Sequence, residues 1–156
     1  MWLSPALPRA QTVLTAGSWA AEASDDRITL DFDARHRRRV RMTSDGGLAF
    51  LLDLADARLL RDGDSLSLDN GKRVRVCAAP EKLLEARCTT PEELARTAWH
   101  LGNRHLAVQV LGQSLRLRDD YVIADMLRHL GADVRIVEAP FDPETGAYAG
   151  HGHSHG

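Results

Sequence analysis

The chain has little of what would mark a secreted or membrane protein. Only two cysteines, Cys77 and Cys88, occur among its 156 residues, too few for the disulfide framework of a small secreted domain. No apolar run approaches the roughly 20 residues that a membrane-spanning helix needs. Residues 1–23 lack the basic segment and apolar core of a signal peptide. We therefore expect a cytoplasmic protein with no membrane partner.

Signatures of catalysis and of nucleic-acid binding are also scarce. There is no Gly-x-x-x-x-Gly-Lys-Ser/Thr phosphate loop, no Gly-x-Ser-x-Gly elbow and no His-Glu-x-x-His helix. The formal net charge is −2, so no overall positive field attracts nucleic acid. The sequence predicts a binding protein that is not an enzyme and has no nucleic-acid partner.

The first half of the chain has the pattern of a small β domain. Short apolar or alternating runs are separated by Asp-Gly and Asn-Gly turns, which are typical of hairpins. The predicted strands are 12–14, 28–32, 40–42, 48–52, 65–68 and 73–78. No useful helical period precedes residue 80. We expect residues 1–79 to form an all-β barrel or sandwich.

The second half alternates strands and helices in the order βαββαβ. The predicted strands are 83–87, 106–110, 115–118 and 134–138. The second helix starts at Asp119 or Asp120 and ends at Gly131. This order predicts a ferredoxin-like domain over residues 80–140. The fold class is therefore α+β, with an N-terminal all-β domain before the ferredoxin-like one.

The first helix of this domain has clear start and stop signals. Thr90 is the predicted N-cap, and Glu93 is placed to close a capping box. Gly102 and Asn103 are expected to stop the helix, and Gly102 is expected to let the chain turn. His105 would then lie at the start of the next strand.

Residues 141–156 offer little to bury, and we expect a flexible tail. The chain ends with alternating histidines, His151, His153 and His155, among Gly and Ser. Imidazoles of this kind suit Ni²⁺, Cu²⁺ and Zn²⁺. A purification tag and a chance solvated tail are the alternatives, and the interleaved pattern argues against a tag.

Two further histidines flank the predicted helix stop, His100 and His105. On a continuous helix, five residues would separate them by about 140°, too far round for one ion. A break at Gly102 would change that geometry. From spacing alone, each is more often a packed or capping histidine than a ligand. A symmetric dimer would supply the same histidine twice near its axis.

The densest basic stretch runs from Arg35 to Arg41. A solvated hairpin with alternate arginines outward is the first interpretation, and a protein-docking patch is the second. RNA binding is the third, because no aromatic residues are interleaved for base stacking.

The stretch 99–105, Trp-His-Leu-Gly-Asn-Arg-His, resembles the aromatic-His-Leu-Gly-Asn-Arg-His signature of the urease accessory protein E (UreE) family. Residues 140–148, Pro-Phe-Asp-Pro-Glu-Thr-Gly-Ala-Tyr, are similar to that family's Pro-Phe-x-Pro-x-x-Gly-Ala-Tyr segment. A His-rich tail follows there too. The resemblance covers nearly the whole chain.

The resemblance implies an N-terminal domain that docks partners and a C-terminal domain that forms a homodimer. It implies delivery of nickel to the urease apoprotein, in an assembly that includes a GTPase and other accessory proteins. A structural or protein-folding adaptor without metal transfer is the alternative, with RNA binding through Arg35 to Arg41 behind it.

The resemblance also implies a metal site. Ni²⁺ would be held across the dimer by His105 of each subunit, with the tail histidines joining. His100 matches a second signature histidine. Some relatives carry extra histidines just before the second helix, where this chain has residues 118–121 without histidine, so we expect few ions per dimer. Cu²⁺ and Zn²⁺ would compete for such a site.

Overall fold

The structure is a computed structural model that describes residues 6–145. The chain divides into two compact units between Ala78 and Ala79. The tail histidines His151, His153 and His155, and the Gly-Ala-Tyr segment 146–148, lie outside the described residues. Within 6–145, no helix has the length and apolar character needed to cross a membrane.

The first unit is a six-stranded sheet. Its strands are β1 (Arg9–Leu14), β2 (Asp26–Leu30), β3 (His36–Thr43), β4 (Ala49–Leu59), β5 (Ser65–Leu68) and β6 (Arg73–Ala78). Their order is β2-β6-β5-β1-β4-β3, so β2 and β3 are the edges. A 3-10 turn (Ala21–Ala23) and the one-turn helix α1 (Phe32–Arg35) are its helical segments. The predicted all-β N-terminal domain is confirmed.

The core of this unit follows from alternation. Side chains of a strand point to opposite faces in turn, and every second residue of β4 up to Leu54 and of β6 is buried. These residues pack with Leu60 and Leu66 into one apolar cluster. The sequence pattern predicted β5 and β6 to the residue, because alternation flanks an Asn-Gly turn in which Gly71 takes a φ of +86°.

The predicted solvated hairpin is confirmed, because β3 pairs with β4 and exposes its arginines, Arg37, Arg38, Arg39 and Arg41. The predicted alternation of the arginines is wrong, and Arg35 is not solvated. Arg35 is fully buried, and its guanidinium donates to the carbonyl oxygens of Leu60 (3.1 Å) and Leu30 (3.3 Å). These bonds offset part of the cost of burying a charge. Further along, the β3–β4 register shifts between Arg37 and Arg39, so the alternation of faces is interrupted.

The second unit has the predicted ferredoxin-like fold. Its elements are β7 (Pro80–Arg87), α2 (Pro91–Asn103), β8 (Gln109–Leu111), β9 (Ser114–Arg118), α3 (Tyr121–His129) and β10 (Asp133–Pro140). The sheet is antiparallel in the order β10-β7-β9-β8. Its core joins residues of both helices to the sheet, among them Leu101 and Leu127 with Leu84 and Leu115.

Both helices begin at the predicted caps, with one difference. The Thr90 hydroxyl accepts a hydrogen bond from the Glu93 amide (3.1 Å), and the Asp120 carboxylate caps α3. The Glu93 carboxylate does not close a capping box on Thr90. It accepts instead from the amide and hydroxyl of Thr89 (3.3 and 2.8 Å), one residue earlier.

The end of α2 differs from the prediction in two ways. The helix continues through Gly102 to Asn103, and the chain turns at His105, whose φ is +57°. The next strand, β8, begins at Gln109 rather than at residue 106. The helix stop at Gly102-Asn103 is therefore confirmed, whereas the expectations that the chain turns at Gly102 and that His105 starts a strand are wrong.

Candidate metal centre

His105 lies in a helix-terminating motif, at a position that glycine usually occupies. The Leu106 amide donates to the Leu101 carbonyl (3.3 Å), and the His105 amide donates to the Gly102 carbonyl (3.0 Å). This pair of bonds defines the Schellman motif, in which the residue after the C-cap is left-handed. Leu101 is buried and Leu106 packs against the same core, which supplies the hydrophobic contact that accompanies the motif.

The backbone at His105 is therefore fixed and strained. A non-glycine residue in the left-handed region costs about 1–2 kcal/mol. His105 is the one non-glycine residue with positive φ in the described part of the chain. Its side chain is exposed. Strained positions of this kind concentrate at functional sites, which makes His105 a candidate functional residue.

His100 has a structural explanation as well as a ligand one. It lies in the last turn of α2, where a cationic side chain interacts favourably with the helix dipole. Its half-buried ring meets the Trp99 ring edge-on, with centroids 5.1 Å apart. His100 and His105 thus flank one helix end. No group of three or more His, Cys, Asp or Glu residues able to hold a metal occurs within residues 6–145.

The segment after β10 is tied to the chain that follows His105. The Glu144 amide donates to the Val108 carbonyl (2.8 Å), and the Asp142 amide donates to the Gln109 side-chain oxygen (3.1 Å). Phe141 is fully buried. The sequence predicted a flexible tail from residue 141 and missed this ordered root, for which Phe141 between two prolines was the available signal.

The cysteines lie apart from this chemistry. Cys88 is buried in the core of the second unit, with its sulfur 3.7 Å from the Thr97 hydroxyl. Cys77 is on β6 of the first unit, and partial burial raises the pKa of its thiol. Both cysteines therefore fit structural roles.

Exposed apolar surface is concentrated in the second unit. The large hydrophobic side chains that the described residues expose are Trp99, Val110, Leu111, Tyr121, Val122 and Ile136. Val110 and Leu111 lie on β8, an edge strand of the sheet. Apolar residues along an edge strand form a surface on which a second chain can pair.

A six-stranded β unit and a ferredoxin-like unit, with histidines at an exposed helix end, define a small two-domain α+β protein. Two family models match it. The UreE urease accessory protein N-terminal domain matches residues 6–79, and the C-terminal domain of the same family matches residues 81–156.

Individual relatives match along nearly the whole chain. The urease accessory protein UreE of Beijerinckia indica subsp. indica is 54% identical over 147 residues, 94% of this chain and 84% of the relative. That of Bradyrhizobium sp. (strain BTAi1) is 55% identical over 148 residues, 95% and 71% respectively. That of Ruegeria pomeroyi is 43% identical over 150 residues, 96% and 97%.

The chain belongs to the UreE family of urease accessory proteins. The resemblance of its two signature segments is thereby confirmed. The family is one of accessory chaperones that serve urease maturation, and its members are not enzymes.

Proposed function

We propose that this protein is a cytoplasmic nickel metallochaperone that delivers Ni²⁺ to the urease apoprotein. The observation that carries the proposal is the position of His105, an exposed imidazole on a fixed and strained helix end. Neutral imidazole is a common ligand for Ni²⁺. Cu²⁺ and Zn²⁺ compete at such a site, so nickel loading depends on metal availability in the cell.

A homodimer completes the ligand set. One fixed imidazole holds nickel poorly, and a twofold contact places the same residue of each copy near the axis. Two copies of His105 then share one ion, with His100 beside each. Trp99 on α2 and Val110 on the edge strand β8 are exposed apolar residues close in sequence to these histidines, which supports dimerisation through residues near them.

The tail histidines supply the exchangeable ligands. The Glu144 amide bonds to the carbonyl of Val108, which is three residues after His105. The tail therefore leaves the second unit next to Val108. Six residues lie between Glu144 and His151, and the seven steps along the chain span at most about 25 Å, at about 3.5 Å per step. Tethered ligands of this reach have a high effective concentration at the ion. Because His151, His153 and His155 are tethered and His105 is fixed, the ion can be released stepwise to a partner.

The partners belong to urease assembly. We propose that the first unit docks the urease apoprotein or its accessory proteins, and that a GTPase among them hydrolyses the nucleotide. The sequence of this chain contains no phosphate loop, which agrees with that division of labour.

Nickel titration of His105→Ala tests the proposal. Calorimetry of the full chain should show loss of the tightest nickel site. His129→Ala is the matched control, because His129 is also exposed in this unit and its ring nitrogen lies 2.7 Å from the Asp125 carbonyl oxygen. Unchanged tight binding in His105→Ala would remove the assignment of His105 as a nickel ligand.

Urease activation at limiting nickel is the functional readout. If it survives both His105→Ala and removal of residues 151–156, the protein acts as an adaptor without metal transfer.

A further inference from the structure

The sheet of the first unit curls until its two edges border one groove. β2 and β3 stand at opposite ends of the strand order. Ile28 and Leu30 of β2 nevertheless line the same cavity as Val40 and Met42 of β3. The groove has a volume of about 240 Å³. No pairing joins β2 to β3 in the residues that the structure describes, so the groove is a gap in an incompletely closed barrel.

Hydrogen bonds close the gap at both ends and leave its middle open. At one end, the turn after β3 is tied to β2. The Asp45 amide donates to the Arg27 carbonyl (2.8 Å), and the Asp45 carboxylate accepts from the Thr29 hydroxyl (2.6 Å). At the other end, the Arg35 guanidinium donates to the Leu30 carbonyl (3.3 Å). Between these ties, Ile28 and Met42 belong to the apolar core of the unit, with Leu30 and Val40 packed against it, and they form the apolar floor of the groove.

Two arginines line the opening of the groove above its apolar floor. Arg37 and Arg41 are exposed and border the cavity. Their neighbour Arg39 is held by the Asp53 carboxylate at 2.8 Å. Among residues 6–145, no ion pair or side-chain hydrogen bond engages Arg37 or Arg41. The groove therefore combines an apolar floor with guanidinium groups that can pair with an incoming carboxylate.

The size and lining of the groove restrict its occupant. Small-molecule sites usually have volumes of about 300–1,000 Å³, so a cavity of about 240 Å³ suits one or two side chains of a docked segment. The lining residues are Ile28, Leu30, Ala34, Arg37, Val40, Arg41, Met42 and Thr43. They include no aromatic ring on which a nucleic-acid base could stack.

We infer that this groove binds an extended acidic segment of a partner protein, which inserts an aliphatic side chain between β2 and β3 and pairs its carboxylates with Arg37 and Arg41. The inference rests on the proposed function and deepens it, because it states the chemistry of the partner that the first unit accepts. Ion pairing with Arg37 and Arg41 sets the register of the bound segment and makes its affinity depend on salt. The inserted aliphatic side chain adds affinity because it buries apolar surface.

Fluorescence anisotropy with the full chain tests the inference. The probe is a labelled peptide, Gly-Asp-Leu-Glu-Val-Asp-Leu-Glu-Gly, and its control has lysine at every acidic position. The acidic peptide should bind saturably and weaken as salt rises, whereas the lysine peptide should not bind. The double variant Arg37→Glu/Arg41→Glu should lose roughly tenfold or more in affinity, since two pairs become repulsions. The matched control is Arg96→Glu, an exposed arginine on α2, and it should bind normally.

A second variant tests the groove without changing charge. Ala34 is a partly exposed residue that lines the cavity, and Ala34→Phe should fill the cavity and block the peptide. Equal peptide affinity in wild type and both groove variants overturns the inference, as does no binding by wild type. Binding of an oligouridine probe that the acidic peptide cannot displace also overturns it.

Nickel titration of the same variants separates the two proposals. Normal nickel binding by Arg37→Glu/Arg41→Glu with loss of the peptide supports both. Peptide binding that depends on Arg37 and Arg41, in a protein without a tight nickel site, supports the groove and overturns the nickel-carrying role.

Discussion

His105 occupies, at the end of α2, the position that Gly131 occupies at the end of α3. Each residue donates its amide to the carbonyl three residues earlier, at 3.0 Å, and each has a left-handed backbone, with φ of +57° and +94°. In each case the next residue, Leu106 or Ala132, bonds back five residues, to Leu101 or Leu127. The two helices thus end in the same motif, with glycine in one and histidine in the other.

This comparison predicts opposite effects of two substitutions at one site. His105→Gly should raise the free energy of unfolding of the metal-free protein by about 1 kcal/mol, because glycine relieves the left-handed strain. His105→Ala should bring no such gain, because alanine keeps the strain. Both variants should lose the tightest nickel site. Urea unfolding and calorimetry measure the two quantities. A clearly destabilised His105→Gly would contradict the strain argument.

The helix end also illustrates what the sequence could predict. The Gly102-Asn103 pair correctly predicted the end of α2, which lies at Asn103, but the turn of the chain was assigned to Gly102. Gly102 does not take a positive φ. The turn is fixed by the burial of Leu101 with Leu106 against the core, and this tertiary contact has no local signature.

The other predictions also succeeded where the structure depends on local sequence and failed where it depends on tertiary contacts. The order βαββαβ and strands β5 and β6 were predictable, because they depend on periodicity and on turn residues. The burial of Arg35 was not predictable, since it depends on contacts formed by the fold. At the candidate site, the sequence marked His100 and His105 through the family signature. It gave no indication that residues 142–144 bond to the chain beyond His105.

The hydrogen bonds that hold residues 142–144 to the chain after His105 predict a role for Gln109 in nickel binding. Gln109→Ala removes the acceptor of the Asp142 amide, and one lost hydrogen bond costs about 0.5–1.5 kcal/mol. Nickel affinity should fall by roughly two- to tenfold, because the tail is held less well beside His105. Gln113→Ala, in the turn between β8 and β9, is the control.

The same effect should disappear when the tail histidines are absent. In a chain shortened to residue 150, Gln109→Ala should no longer change nickel affinity, as a double-mutant cycle measures. An equal loss with and without residues 151–156 would mean that Gln109 acts on His105 alone.

The proposed dimer predicts an asymmetry between the two edges of the second unit. Trp99→Glu/Val110→Glu places charges on α2 and on the edge strand β8 and should give a monomer, because burying an unpaired carboxylate opposes association. Ile136→Glu, on the opposite edge strand β10, should remain a dimer. Light scattering after size-exclusion chromatography gives the masses. A dimer that survives the first change and dissociates with the second would place the contact on the other edge.

Acid stability of the first unit should depend on Asp26. The Ser44 hydroxyl (2.5 Å), with the Arg27 amide (2.7 Å), lowers the pKa of Asp26 below its ordinary value. The folded state therefore favours the carboxylate. Its stabilisation is complete above the unfolded pKa of about 3.9 and is lost as pH falls through the lowered folded pKa.

Asp26→Asn should accordingly reduce the unfolding temperature of the metal-free protein at pH 7 and flatten its decline between about pH 4 and pH 2. Circular dichroism melts from pH 7 to pH 2 measure both effects. Asp56→Asn, an exposed carboxylate on β4, is the control and should follow the wild type. If Asp26→Asn declines as steeply as the wild type, another carboxylate governs acid unfolding. The Asp26–Ser44 bond, which ties the turn after β3 to β2, would then contribute little to stability.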